Sequence, residues 1–244
     1  NLNEPAPLAA INAGTVPQTC FGSGTGQATV SVSGGAGPYS YAWNTSPAQH
    51  AATASGLQAG TWTVAVSDVN GCSTSTDITV DGPAAPLALN TVSVTNVLCN
   101  MGQSGTATVQ ATGGTSPYNY AWNTNPQTNG ASATGLSAGT WTATATDAHG
   151  CSTSLNVTIA QPAQPLSATL IDRHDVTCYG NANGTASISV SGGSGNYLVS
   201  WNTTPVQTGT TVSGLSPGNY IATIADANGC SQTLSFHVSI GGPI

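Results

Sequence analysis

Lysine is missing from this chain, and arginine occurs once, at Arg173, against eight acidic residues and a net charge of −7. Charged side chains make up 4% of the residues, where an ordinary soluble domain carries about 25%. A surface without cations cannot neutralise phosphates, which excludes nucleic acid as a partner and disfavours anionic membrane surfaces. No apolar run reaches the roughly 18 residues of a membrane span, so no membrane insertion is expected. No helical apolar period is present either. A signal peptide and an initiating Met are also lacking, and the chain reads as a processed product or an excerpt of something longer.

What remains to cover the surface is Thr, Ser, Asn, Gln, Gly and Ala. Such a surface is insensitive to salt and offers trypsin-like proteases almost no cleavage point. It also lacks the repulsion that keeps copies apart, so lateral or end-to-end self-association into fibres is expected.

The landmarks that are present recur every 79 residues. Cys20, Cys99 and Cys178 keep this spacing, as do Trp43, Trp122 and Trp201, and Cys72, Cys151 and Cys230. A period this long, carrying a full set of strand and turn signals, indicates tandem copies of one small domain. The predicted organisation is a linker over residues 1–6 and three repeats over 7–85, 86–164 and 165–244. Units this small bury only roughly 60–65% of their unfolded surface and gain from covalent reinforcement.

Each repeat reads as β-structure. Gln27–Val32 alternates and stops at Gly34-Gly35, Tyr39–Trp43 follows, and a Thr/Ala/Ser-rich stretch leads to the turn Gly56–Gly60. Thr61–Val66 then alternates into a turn at Asp68–Gly71, and a last strand ends at Val80. Short strands punctuated by turns every 8–12 residues predict an all-β, immunoglobulin-like sandwich of two antiparallel sheets. In the turns, Asp68, Asp147 and Asp226 accept backbone N–H bonds while Gly71, Gly150 and Gly229 supply positive φ. Proline-rich joints at 83–86 and 162–165 are stiff, so three sandwiches are expected to form a rod on the order of 100 Å long.

Catalytic and metal chemistry find little support. Gly135-Leu136-Ser137-Ala138-Gly139 and Gly214-Leu215-Ser216-Pro217-Gly218 fit the G-x-S-x-G elbow, but that motif needs a strand-to-helix turn. Here it separates two strands, and Gln58 replaces the serine in the first repeat. One carboxylate per Asp turn falls short of a calcium site, the histidines share no register, and Arg173-His174-Asp175 reads as a solvated loop. No enzyme activity and no cofactor are expected. Trp43, Trp122 and Trp201 are assigned to the core in preference to a sugar-binding platform. Trp62, Trp141 and Tyr220 open the strand after the Gly-Leu-x-x-Gly turn and are assigned a structural role there.

Six cysteines at one pair per repeat read as disulfides, which places the chain in an oxidising, extracellular compartment. Two pairings are open. In an immunoglobulin topology those loops can lie at opposite poles, and the early Cys of one repeat comes near the late Cys of the next, giving Cys20–Cys151 and Cys99–Cys230. Pairing within repeats, Cys20–Cys72, Cys99–Cys151 and Cys178–Cys230, is nevertheless preferred, since the first strand can bend and carry its Cys toward the last.

The succession Cys-x-x-Gly, Gly-Gly-x-x-Pro-Tyr-x-Tyr-x-Trp, Gly-Leu-x-x-Gly-x-Trp/Tyr and Asp-x-Asn-Gly-Cys resembles the SprB repeat of large Bacteroidetes surface adhesins and gliding-motility proteins. Asn196 departs from it in place of the proline before Tyr197, and Gly102 sits one place later than Gly22. The resemblance implies an exported cell-surface protein delivered by type IX secretion. The function expected is that of a stiff, disulfide-reinforced shaft in an extracellular filament or adhesin, with neighbouring repeats as partners. The alternative is an adhesion module that binds glycan or another surface ligand.

Overall fold

The computed structural model describes residues 6–241. The flanking residues 1–5 and 242–244, with most of the linker expected over 1–6, lie outside the described residues.

Among the described residues the fold is all-β, with no helix that could cross a membrane. Six strands make up the first period: β1 Ala9–Val16, β2 Gly26–Ser33, β3 Ser40–Trp43, β4 Thr53–Leu57, β5 Gly60–Ser67 and β6 Ser73–Val80. They form two antiparallel three-stranded sheets, β1-β2-β4 and β3-β5-β6. Six more strands follow: β7 Ala88–Thr95, β8 Gly105–Thr112, β9 Asn119–Trp122, β10 Ser132–Leu136, β11 Gly139–Thr146 and β12 Ser152–Ile159. The last six are β13 Ser167–His174, β14 Gly184–Ser191, β15 Leu198–Trp201, β16 Thr211–Leu215, β17 Gly218–Ala225 and β18 Ser231–Val238. Sheet orders β10-β8-β7, β12-β11-β9, β13-β14-β16 and β15-β17-β18 repeat the first pattern.

Alternation sets the core. β2 turns Ala28 and Val30 inward, β5 turns Val64 and Val66, and β6 turns Ile78 and Val80, all buried around Trp43. β4 breaks the period of two: Ala54 and Leu57 are both buried, three residues apart. Gly56, at φ +71°, makes the switch through an irregularity in the β2–β4 ladder, a conformation that a residue with a Cβ adopts only at a cost. Gly56-Leu57 thus belongs to the strand, and only Gln58-Ala59 of the expected turn joins it to β5.

The chain resolves into two compact units that do not coincide with the sequence period. One unit holds the residues up to Asn90 with Val109–Ala131 and Thr142–Leu155. It contains the cluster around Trp43 just described. The other holds Thr91–Thr108, Ser132–Trp141 and the residues from Asn156 on. A core cluster there gathers Val176, Ile188, Val199, Trp201, Leu215 and Ile224, with Phe236 edge-on to Trp201 at 5.8 Å between ring centroids.

Within each unit the proline joints are fixed to the sandwich. Gly35 N–H donates to the Ala6 carbonyl at 2.8 Å, Gly114 N–H to Ala85 at 2.9 Å, and Gly193 N–H to Gln164 at 3.0 Å. A Cβ on Gly34, Gly113 or Gly192 would overlap the carbonyl oxygen of Pro7, Pro86 or Pro165 respectively. The Gly-Gly pairs therefore do more than end a strand: they allow the joint to lie directly on the loop after β2, β8 or β14.

Candidate functional site

The best-built polar feature is the turn between β5 and β6 and its two counterparts. Asp68 Oδ1 accepts the N–H groups of Asn70 and Cys72, both at 2.9 Å, and Oδ2 accepts that of Ala36 at 3.1 Å. Asp147 repeats this with His149, Cys151 and Thr115, each at 2.9 Å. Asp226 does so with Asn228 at 3.0 Å and with Cys230 and Ser194 at 2.9 Å. The Ala36 N–H, opposed by burial and aided by the other turn amides, holds the Asp68 carboxyl below its usual range. At Asp147 and Asp226 burial pushes upward. At Asp147 this is outweighed by the amides of Thr115, Cys151 and His149 and the His149 charge. At Asp226 it is outweighed by the amides of Ser194, Cys230 and Asn228 and the Ser194 hydroxyl, so both carboxyls are lowered. Gly71, Gly150 and Gly229, at φ +85°, +82° and +80°, close the three turns. Each turn is thus a rigid mount for the cysteine that follows it.

The other cysteine of each repeat sits elsewhere. Gln18 is buried; its N–H donates to the Asp81 carbonyl at 2.8 Å and its Oε1 accepts the Ala59 N–H at 3.0 Å. That anchors Cys20 beside the end of β6. Val97 N–H to Ala160 at 2.9 Å and Val176 N–H to Ser239 at 3.0 Å place Cys99 and Cys178 likewise, beside the ends of β12 and β18.

The pairing preferred from sequence is therefore not the one formed. The bridges are Cys20–Cys151, with Cα atoms 5.8 Å apart, and Cys99–Cys230, at 5.6 Å. Cys72 and Cys178 are free thiols. Cys20 lies at the end of β6 and Cys72 just before its start, so eight residues of extended strand, about 26 Å, hold them apart. No bend of β1 closes that distance while Gln18 keeps its bond to Asp81.

Around Cys99–Cys230, Asn100 Nδ2 donates to the Pro162 carbonyl at 2.7 Å, and Asn228 Nδ2 to the Leu98 carbonyl at 3.1 Å. The bridge borders a cleft of about 190 Å³ lined by Asn100, Pro165, Leu166 and Gly193. Beside the other bridge, Cys151 Sγ lies 3.6 Å from the Thr19 carbonyl oxygen.

Trp43, Trp122 and Trp201 are at most 2% exposed. Their Nε1–H groups donate to Ala51, Gly130 and Gly209 carbonyls at 2.9, 3.1 and 2.8 Å. Trp62, Trp141 and Tyr220 are half-buried. Each bonds back four residues, to the carbonyls of Gln58 and Ser137 at 3.0 Å and Ser216 at 2.9 Å. The two elbow-like serines thus stand in strand-to-strand turns, where their carbonyls hold aromatic side chains.

Sequence reasoning assigned no role to two further recurring groups. Tyr39, Tyr118 and Tyr197 donate their hydroxyls to the Gly34, Gly113 and Gly192 carbonyls at 2.7, 2.6 and 2.7 Å. Asn44, Asn123 and Asn202 accept the N–H of Thr63, Thr142 and Ile221 at 3.0, 2.8 and 2.8 Å. Their shared register was the available signal. Arg173 and His174 close β13 and are not part of a loop; Arg173 donates to the His237 carbonyl at 2.7 Å. Among the described residues, no group of three or more His, Cys, Asp or Glu side chains is placed to hold a metal ion.

No curated protein matches the chain significantly in sequence. Among solved structures, the three N-terminal domains of the bacteriophage RB49 outer capsid protein Hoc align over 97% of this chain and 99% of theirs, at 10% identity and a TM-score of 0.41. The N-terminal eight Ig domains of Down syndrome cell adhesion molecule align over 88% and 34%, at 13% identity and 0.37. A tetra-tandem repeat from the extending region of a large adhesion protein aligns over 96% and 74%, at 16% and 0.30. The family model described as the SprB repeat matches residues 12–48, 91–127 and 172–205, one segment in each period. The SprB-repeat model is thus detected in three successive segments of the chain.

Proposed function

We propose that this chain is a shaft segment of an extracellular filament or cell-surface adhesin, built from repeats over residues 7–85, 86–164 and 165–244. The observation that carries this reading is the bridge pattern. Each disulfide leaves one repeat and ends in the next, 131 residues on, so that a hinge between consecutive repeats would have to work against a covalent tie. The joints held by backbone hydrogen bonds beside Gly35, Gly114 and Gly193 support the same reading. Disulfides favour an oxidising location, and the SprB repeats support export to the cell surface through type IX secretion, with a role in adhesion or gliding.

Aromatic sugar platforms need an exposed ring face, and Trp43, Trp122 and Trp201 offer none. Glycan binding by these residues is accordingly not part of the proposal, and neither is catalysis. Electron microscopy of native material is the test. Thin filaments or extended stalks that carry this segment are expected; globular particles alone would overturn the reading.

A further inference from the structure

An edge strand exposes backbone groups that another chain can pair with, and natural sheets cover them. In each repeat one sheet ends on its short strand, β4, β10 or β16. A glutamine covers that edge in the first and third repeats. Gln49 Nε2 donates to the Ser55 carbonyl at 2.8 Å, and its Oε1 accepts the Ser55 N–H at 2.9 Å. Gln207 does the same at Ser213, at 2.8 and 3.2 Å. Each carboxamide, donating and accepting at one residue, occupies the place of the peptide group of a further strand.

The middle repeat lacks this cover. The register counterpart of Gln49 and Gln207 is Thr128, and Gln127 stands one place early and is exposed. A threonine is shorter and carries no amide. Thr128 Oγ1 accepts the Thr124 hydroxyl at 2.9 Å, and its N–H donates back to Thr124 Oγ1 at 2.7 Å. Thr134, the counterpart of Ser55 and Ser213, is exposed. Ser55 opposes Gln27 but gives its N–H to Gln49, so its backbone groups face away from β2. Thr134 opposes Thr106 in the same register on β8. Its N–H and C=O therefore face outward too, and among the described residues nothing bonds them. Ser132, two residues earlier, faces the same way. No charged residue guards this edge anywhere over 119–139.

We infer that the open β10 edge pairs with the β10 edge of a second copy of this chain, antiparallel, across a two-fold axis. Ser132 then opposes the second copy's Thr134, and Ala133 opposes its own equivalent. Each Ser132–Thr134 pair exchanges both N–H···O bonds, using only the regular residues before the irregularity at Gly135. An edge of this kind is self-complementary, so a second copy supplies every bond with no further group. The charges that would hold like copies apart are absent. The pairing is short, and it becomes effective where shafts lie side by side and many such contacts act together.

The inference rests on the shaft reading. It is tested with the 244-residue chain carrying Cys72→Ser and Cys178→Ser, so that neither free thiol reacts. Opposed Cα atoms in such a pair lie about 5.5 Å apart, within the span of a disulfide. One sample of this chain also receives Ser132→Cys and another Thr134→Cys. Mixed under mild oxidation, they should give the heterodimer in excess over both homodimers by about tenfold or more, since like positions are offset along the strands. Thr128→Gln in both chains should restore the cover and abolish the excess, with the urea midpoint unchanged. Removing the cover from the first repeat, by Gln49→Thr with Thr53→Cys in one chain and Ser55→Cys in the other, should create the same excess there. A statistical mixture of the three dimers, or an excess indifferent to Thr128→Gln, would overturn the inference. So would a Thr134 amide protected from hydrogen exchange only in native material, with no excess in the purified chain, which would give the edge to another partner. The shaft reading survives each of these results and fails separately, if native material shows no extended form.

Discussion

Removing the first bridge with Cys20→Ser and Cys151→Ser together perturbs stability without disturbing a core side chain. The bridge joins positions 131 residues apart, and the chain-entropy estimate for a closed loop of that length is about 5 kcal/mol at 25 °C. A repeat of this size is worth only roughly 4–12 kcal/mol in total, so the melting temperature should fall by on the order of 20 °C. Urea titration followed by tryptophan fluorescence, with calorimetry beside it, reads the change. The control is Cys72→Ser in monomeric protein, expected to shift stability by less than about 0.5 kcal/mol because it removes no bond. If Cys20 were bonded to Cys72, the loop would still be worth about 4 kcal/mol, so magnitude alone would not separate the pairings. The control does. A Cys72→Ser variant as destabilised as the double variant would refute the pairing, and a double variant shifted by less than about 1 kcal/mol would refute the role given to the bridge.

Other consequences are sharp enough to measure. Trp122→Ala should cost about 3–5 kcal/mol through the cavity it leaves, read as a lower urea midpoint; a loss below about 1 kcal/mol would contradict a packed indole. Gly113→Ala should destabilise by at least about 2 kcal/mol, from its positive φ and the overlap with the Pro86 carbonyl, whereas Gly71→Ala, which meets no neighbour, should cost only the backbone term. Tyr118→Phe should cost about 1 kcal/mol for the lost bond to Gly113. For the three turn aspartates, the folded-state pKa lies below the unfolded value of about 3.9. Their contribution is therefore complete above that value and is lost as the pH falls through the lower folded values. A urea midpoint that stays flat from pH 5 down to pH 2 would contradict this.

Much of the fold could be read from alternation. β2, β5 and β6 place apolar residues at every second position, and the expected strands lie within a residue or two of those observed. β1 carries no such signal, because Ala9–Val16 is mostly exposed and mixes Gly, Asn and Ala. β4 was masked by Gly56, whose positive φ resets the inward face at Leu57. The cysteine pairing was not legible because spacing along the chain says nothing about which pole of a sandwich a loop occupies. That depends on Gln18 bonding to the far end of β6, and its counterparts Val97 and Val176 do not even share its residue type. Tyr39 and Asn44 were visible as recurring residues, but their partners are backbone groups, which leave no mark in the sequence.

Bridges tie successive repeats to one another covalently, and stretching a single molecule reads out that tie. Through both bridges, the shortest covalent route from end to end follows roughly a third of the backbone and extends to on the order of 300 Å, against about 850 Å for the same 244 residues reduced. The oxidised chain should stop lengthening near the shorter limit, and a reductant should release the remainder. An oxidised chain that extends to the full length without reductant would contradict it.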